Sequence, residues 1–127
     1  MPFGFSDIEN VLRRIGVDPS TRVGSGDQDA EYTSCRIAEL SEYIRLYERV
    51  DTPESEKHVL CCFMLECLNE VVQSGAIHPL EDRILHALFD NRRIHEEELS
   101  YWMDTSDPNS DNWWPITHVL LKYDRRL

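Results

Sequence analysis

Thiols and imidazoles are the first groups in this sequence that could do chemistry. His58 precedes Cys61 and Cys62 by three and four residues, so on a helix it would share a face with either thiol. A closed Zn²⁺ site needs four such ligands, and the rest would have to come from distant residues such as His86 or Cys35. No Cys-x-x-Cys or His-x-x-x-His pair is present. We therefore expect buried free thiols, with no metal and no other cofactor.

A catalytic cysteine is disfavoured by its neighbours. Reactive thiols lie near helix N-termini or basic groups, in partly exposed positions. Cys61 and Cys62 stand inside an apolar run, which is the opposite environment. Cys35 follows the acids Asp29 and Glu31, whose charge opposes thiolate formation. These surroundings predict a protein that is not an enzyme.

Carboxylate pairs are abundant, and most of them stand where a helix is predicted to begin. The run from Glu96 to Glu98 is the clearest example. Acids in a first turn stabilise the helix dipole, so they need no catalytic explanation. The enzymatic alternative is a small metal-dependent or hydrolytic enzyme that uses His58 and His86 with nearby carboxylates.

Apolar periodicity predicts an all-α single domain over residues 1–127, a bundle or orthogonal array of about six helices. The predicted helices begin near Ser6, Asp29, Pro53, His78, His95 and Pro115. The second is expected to continue unbroken from Asp29 to Val50. The third, near residues 53–74, is apolar on every side and is expected to be the central buried helix. No segment shows the alternation of a strand.

The acidity of the chain is concentrated in its middle. The net charge is −11, and residues 24–104 hold eighteen acids against seven bases, while both ends are balanced. This field repels nucleic acid and anionic lipid and attracts a basic protein. The longest apolar run is too short to span a bilayer, and we see no secretory signal. We therefore expect a cytoplasmic protein that binds neither nucleic acid nor membrane.

All three tryptophans bracket one acidic loop, residues 104–112. Trp113 and Trp114 are adjacent, so both cannot easily point inward, and Trp residues are favoured in protein contacts. An exposed indole beside acids would suit a basic partner that has an apolar pocket. The predicted contact residues are Glu96, Glu97, Glu98, Asp104, Asp107, Asp111 and Trp113, with a second patch at Asp27, Asp29 and Glu31.

In general character, though in no single motif, the chain resembles the small acidic immunity proteins that bacteria pair with secreted toxins. The favoured function is a non-catalytic, acidic protein-binding domain that inhibits a basic, nuclease-like toxin or enzyme. Its carboxylates would pair with the Arg and Lys residues that normally hold the anionic substrate. A homodimeric helical adaptor is a further alternative.

Overall fold

Seven α-helices and three 3₁₀ turns make up the secondary structure that the computed structural model describes, in residues 2–24 and 29–127; these ranges contain no strand. The helices are α1 (Phe5–Arg14), α2 (Ala30–Thr33), α3 (Leu40–Tyr47), α4 (Glu54–Gln73), α5 (Glu81–Asp90), α6 (Glu96–Trp102) and α7 (Pro115–Arg126). The 3₁₀ turns are Pro19–Thr21, Ile37–Glu39 and Ser110–Asn112. The all-α prediction is confirmed.

Helix α4 is the centre of the fold, as its apolar sequence predicts. Thirteen of its twenty residues are buried, and all six other helices pack against it. Each fully buried large aliphatic side chain stabilises the fold by roughly 1.5–3 kcal/mol, so this helix carries much of the core. Gly75 ends α4 with a φ of 84°, a left-handed conformation that favours glycine. Its N–H donates to the Val72 carbonyl at 2.9 Å, and the Ala76 N–H donates to the Val71 carbonyl at 3.2 Å.

The prediction of one helix from Asp29 to Val50 is wrong. The chain forms α2, then becomes extended at Arg36 (φ −138°, ψ 136°), and resumes as a 3₁₀ turn and α3. The buried Tyr43 hydroxyl holds this break, because it accepts from the Arg36 N–H at 2.9 Å and donates to Glu39 at 2.7 Å. The apolar stripe is real, but it belongs to α3.

An ion pair between Arg22 and Glu39 also stabilises the break between α2 and α3. Both Glu39 oxygens accept from the Arg22 guanidinium at 2.8 Å, and the same guanidinium donates to the Ser34 carbonyl at 3.1 Å. The side chains of Arg22 and Glu39 are each only 15% exposed. The hydrogen bonds from Arg22 hold the pKa of Glu39 below its usual value, although burial opposes them. The loop before α2 is thereby tied to the start of α3.

Substituting Glu39→Gln should lower the free energy of unfolding by about 2 kcal/mol at pH 7, because a charge-assisted pair is lost. A carboxyl whose pKa is depressed on folding stabilises the protein above its unfolded pKa, and that stabilisation disappears as pH falls through the folded pKa. The difference between wild type and variant should therefore narrow below about pH 4. Urea unfolding between pH 7 and pH 3 measures this, with the exposed Glu42→Gln as control. A difference that is independent of pH would contradict the assignment.

Candidate functional site

An open groove lies where α2, α4, α6 and the start of α7 meet, and we call it the acidic groove. Its volume is about 460 Å³. Asp29, Glu66 and Glu70 supply its carboxylates, and the described residues that line it include no Lys or Arg. Aromatic rings from three separate segments form the rest of its wall. Negative charge and aromatic surface therefore meet in one concave place.

The aromatic wall is a set of rings in mutual contact. Tyr32 stacks on Tyr101 with centroids 5.7 Å apart, and Tyr101 lies 6.0 Å from Trp114. Trp102 lies beneath them, edge-on to Tyr32 at 5.8 Å and 5.5 Å from Trp114. Trp102 is only 2% exposed, whereas Tyr101 and Trp114 are 46% and 43% exposed. A core indole thus supports two exposed rings, and such π faces attract cations.

Polar contacts with the core position Trp114. It stands immediately before α7, whose first turn is held to α4 because Asn69 Oδ1 accepts from the Ile116 N–H at 3.1 Å. The Thr117 hydroxyl donates to the Trp102 carbonyl at 2.6 Å and so joins α7 to α6. Both contacts are buried. The exposed ring is therefore carried on a fixed backbone.

Two carboxylates of the groove, those of Glu66 and Glu70, have no basic partner among the described residues that line it. Glu66 and Glu70 lie four residues apart on α4, so they share one face of that helix. Burial raises the pKa of Glu66, and the negative charge of Glu70 raises it further. This arrangement costs stability within the free chain. A cation brought into the groove would remove that cost.

A second, smaller cleft shares the Tyr32–Tyr101 pair with the groove, and we call it the side cleft. It has a volume of about 130 Å³ and carries the carboxylates of Glu31 and Glu97. Two patches that are far apart in sequence therefore meet at one aromatic pair: Asp29 and Glu31 from one side, and Glu97 from the other. The sequence alone places these residues in separate patches.

Two of the predicted loop acids, Asp104 and Asp107, stabilise turns within their own loop. Asp104 Oδ1 accepts from the Ser106 N–H at 2.9 Å, and Asp107 Oδ1 accepts from the Asn109 N–H at 2.9 Å. Both are short-range turn contacts of the kind Asp makes in loops. Asp111 is exposed in the last 3₁₀ turn. None of these three acids lines the groove or the side cleft.

Trp114 is the exposed indole, whereas the predicted contact residue Trp113 is half-buried. The Trp113 Nε1–H donates to the Asp107 carbonyl at 2.8 Å, and its ring packs 5.3 Å from that of His118. Glu96 is exposed but lines neither the groove nor the side cleft. Asp27 lies outside the described residues.

Glu98 departs most from its predicted role as a surface contact. Its side chain is 7% exposed, and Oε1 contacts His58 Nδ1 directly and His95 Nδ1 at 3.3 Å. His95 Nε2 lies 2.6 Å from the Tyr47 hydroxyl. Burial raises the pKa of Glu98, but the hydrogen bonds with His95 and His58 outweigh it, so the net shift is downward. We call these four residues the buried cluster.

The enzymatic alternative uses His58 together with His86, but His86 is exposed on α5, and the structure places His95 and Glu98 beside His58. The spacing of His95 and Glu98, three residues on one helix face, was the sequence signal that could have revealed the pair. Glu66 and Glu70 were also missed. They are acids four residues apart that follow the apolar run, and that spacing was their signal.

All four cysteines are free and buried, as predicted. Burial raises the pKa of the Cys61 and Cys62 thiols above the ordinary value. A thiol is a weak nucleophile while it stays protonated. Neither Cys61 nor Cys62 therefore lies in surroundings that would make its thiol a reactive nucleophile.

Comparison with protein-family models, with curated proteins and with solved structures finds no match for this chain. Among the described residues, no helix has the length and apolar character needed to cross a membrane. The function is therefore inferred from the geometry and charge of the acidic groove and the side cleft.

Glu98 and Glu97 are adjacent, and their substitution by Ala should have very different effects. Glu98→Ala should destabilise the fold by about 3 kcal/mol, because it leaves two buried imidazoles without their carboxylate. Glu97→Ala should change stability by less than about 0.5 kcal/mol, as is usual for an exposed residue. Chemical denaturation of the two variants measures this, and equal effects would show that Glu98 is not a buried partner of the histidines.

Proposed function

We propose that this chain is a non-catalytic protein-binding domain whose acidic groove and side cleft dock a basic segment of another protein. One observation carries the proposal. Exposed Tyr101 and Trp114 stand beside the uncompensated carboxylates of Glu66 and Glu70, in a concave lining whose described residues include no base.

An arginine or lysine side chain fits this chemistry best. A guanidinium can stack on an aromatic face while its N–H groups bind carboxylate oxygens, and its aliphatic stem can cover apolar surface. The rings would supply most of the affinity, because Trp and Tyr dominate contact energies. The carboxylates would speed association and select against acidic partners.

The finer proposal is an inhibitor or immunity protein that occludes a basic, nuclease-like toxin or enzyme. An active site that handles phosphate is lined by Arg and Lys, and the acidic groove complements such a surface. Blocking needs no catalysis by the inhibitor. Such a role would place this chain in the bacterial cytoplasm. The enzymatic and homodimeric alternatives remain predictions.

The test is co-expression with the product of the neighbouring gene, followed by affinity measurement at low and high salt. Trp114→Ala should weaken the complex at least about 30-fold, the loss expected for a contact hot spot of 2 kcal/mol or more. Trp113→Ala is the matched control, since that indole is hydrogen-bonded within its own loop, and it should retain affinity within about threefold. Wild-type affinity should fall as salt increases.

Absence of a complex at low salt, together with unchanged sensitivity of a deletion strain to that neighbour, would exclude the inhibitor proposal. Equal losses for both tryptophan variants would show that the groove is not the contact surface.

Glu66→Gln separates a binding role from a structural one. Removing the repulsion between Glu66 and Glu70 should stabilise the free protein by about 0.2–0.5 kcal/mol, the size of a like-charge helical pair. The same change should weaken the complex, because a carboxylate that faces the basic partner is lost. Thermal denaturation and binding of one preparation measure both effects. Glu42→Gln, in a different cleft beside Arg45 and Arg49, is the control. Unchanged affinity in Glu66→Gln would remove this residue from the proposed contact.

A further inference from the structure

We propose that the buried cluster binds one divalent first-row transition-metal ion, with His58, His95 and Glu98 as its protein ligands. One ligand atom from each of the three side chains lies within 4.8 Å of the other two, and all three residues are buried. This goes beyond the docking function, because it uses two buried histidines and none of the carboxylates of the acidic groove; Glu98 alone also borders the side cleft.

The donor atoms already converge on one point. Nδ1 of His58 and Nδ1 of His95 both face Glu98 Oε1, and the second separation is 3.3 Å. Two ligands of one tetrahedral Zn²⁺ lie about 3.3 Å apart when each bond is about 2.05 Å long. A small movement of His58 away from the carboxylate would leave room for the ion between the three groups.

An unsatisfied oxygen is the second, independent observation. Glu98 Oε2 is buried and has no hydrogen-bond partner among the described residues. A buried polar atom left without a partner costs about 1–3 kcal/mol of stability. The contacts with His58 and His95 satisfy Oε1 but leave Oε2 without a partner among the described residues. A bound cation that contacts both oxygens would satisfy the whole group.

Tyr47 supplies the outer contact that metal-binding histidines usually have. When His95 binds the ion through Nδ1, its Nε2–H donates to the Tyr47 hydroxyl, whose oxygen lies 2.6 Å from Nε2, and the ring is held in place. Nδ1 already faces Glu98 Oε1 at 3.3 Å, so the ring need not turn to reach the ion.

The donor set identifies the class of ion. Two imidazoles and one carboxylate suit Zn²⁺ or Fe²⁺, whereas Ca²⁺ and Mg²⁺ prefer oxygen ligands alone. Because Zn²⁺ can expand beyond four ligands, two imidazoles and a carboxylate bound through both oxygens still leave room for a water molecule. Glu98 also lines the side cleft next to Cys62, so the ion has a route from solvent.

The experiment uses the full chain without an affinity tag, stripped with a chelator and titrated with Zn²⁺ against a chromophoric competitor. We expect one equivalent to bind with micromolar or tighter affinity. Glu98→Gln keeps the side-chain shape and should weaken binding at least about 100-fold, since even outer contacts to a metal site contribute 10–100-fold. His86→Ala removes an exposed histidine outside the cluster and should bind as wild type does. Circular dichroism checks that each variant is folded.

X-ray absorption spectroscopy of the Zn²⁺-loaded wild type identifies the ligand atoms of the ion, even if the Glu98→Gln variant fails to fold. The expected inner shell has two imidazole nitrogens with oxygen, and no sulfur. A shell that contains sulfur would move the site to Cys62, and a shell of oxygen alone would place the ion on surface carboxylates. Either result would overturn the proposal. So would zinc affinity that is unchanged in a folded Glu98→Gln variant, or the absence of binding to the wild type at about 10 μM Zn²⁺, roughly tenfold above the expected micromolar Kd.

Discussion

The rest of the structure depends on the burial of α4 on every side. A helix enclosed by six others can keep a polar residue only if a neighbouring element supplies a partner or an opening to solvent. Each polar side chain on α4 therefore needs a hydrogen-bond partner, an opposite charge or access to solvent from the helices around it. Both sites in this protein lie at such positions.

Four residues of α4 illustrate the range of outcomes. Glu56 receives the Arg14 guanidinium of α1, and Asn69 accepts from the backbone at the start of α7. His58 meets the Glu98 carboxylate of α6. These three contacts join the neighbouring helices to the centre. Glu66 has no such partner among the described residues, and its raised pKa reflects burial beside Glu70. The groove opens where this charge on the central helix is left without a basic partner among the described residues.

The acidity of the chain thus divides into parts with different causes. Some acids stabilise helix starts, as Glu54 and Glu81 do, and some hold turns or ion pairs, as Asp107 and Glu39 do. Around the Tyr32–Tyr101 pair, Glu31 and Glu97 stand in the first turns of α2 and α6. Glu66 lies within α4, away from a helix start, and has no basic partner among the described residues. The net charge of −11 gives only an overall sign of the surface field. The proposed docking of a basic segment rests instead on the position and shape of the groove.

The sequence by itself determined the helical class, the central position of residues 53–74 and the stop at Gly75. These depend on local periodicity and on backbone preferences, which act over a few residues. Tertiary structure decided the break at Arg36, the burial of Glu98, and the exposure of Trp114 rather than Trp113. Each depends on a partner distant in the chain: Arg22 for Glu39, His58 for Glu98, and Asn69 for the segment that carries Trp114. Pairings at sequence separations of 17, 40 and 47 residues leave no periodic trace in the sequence, so only tertiary packing could bring them together.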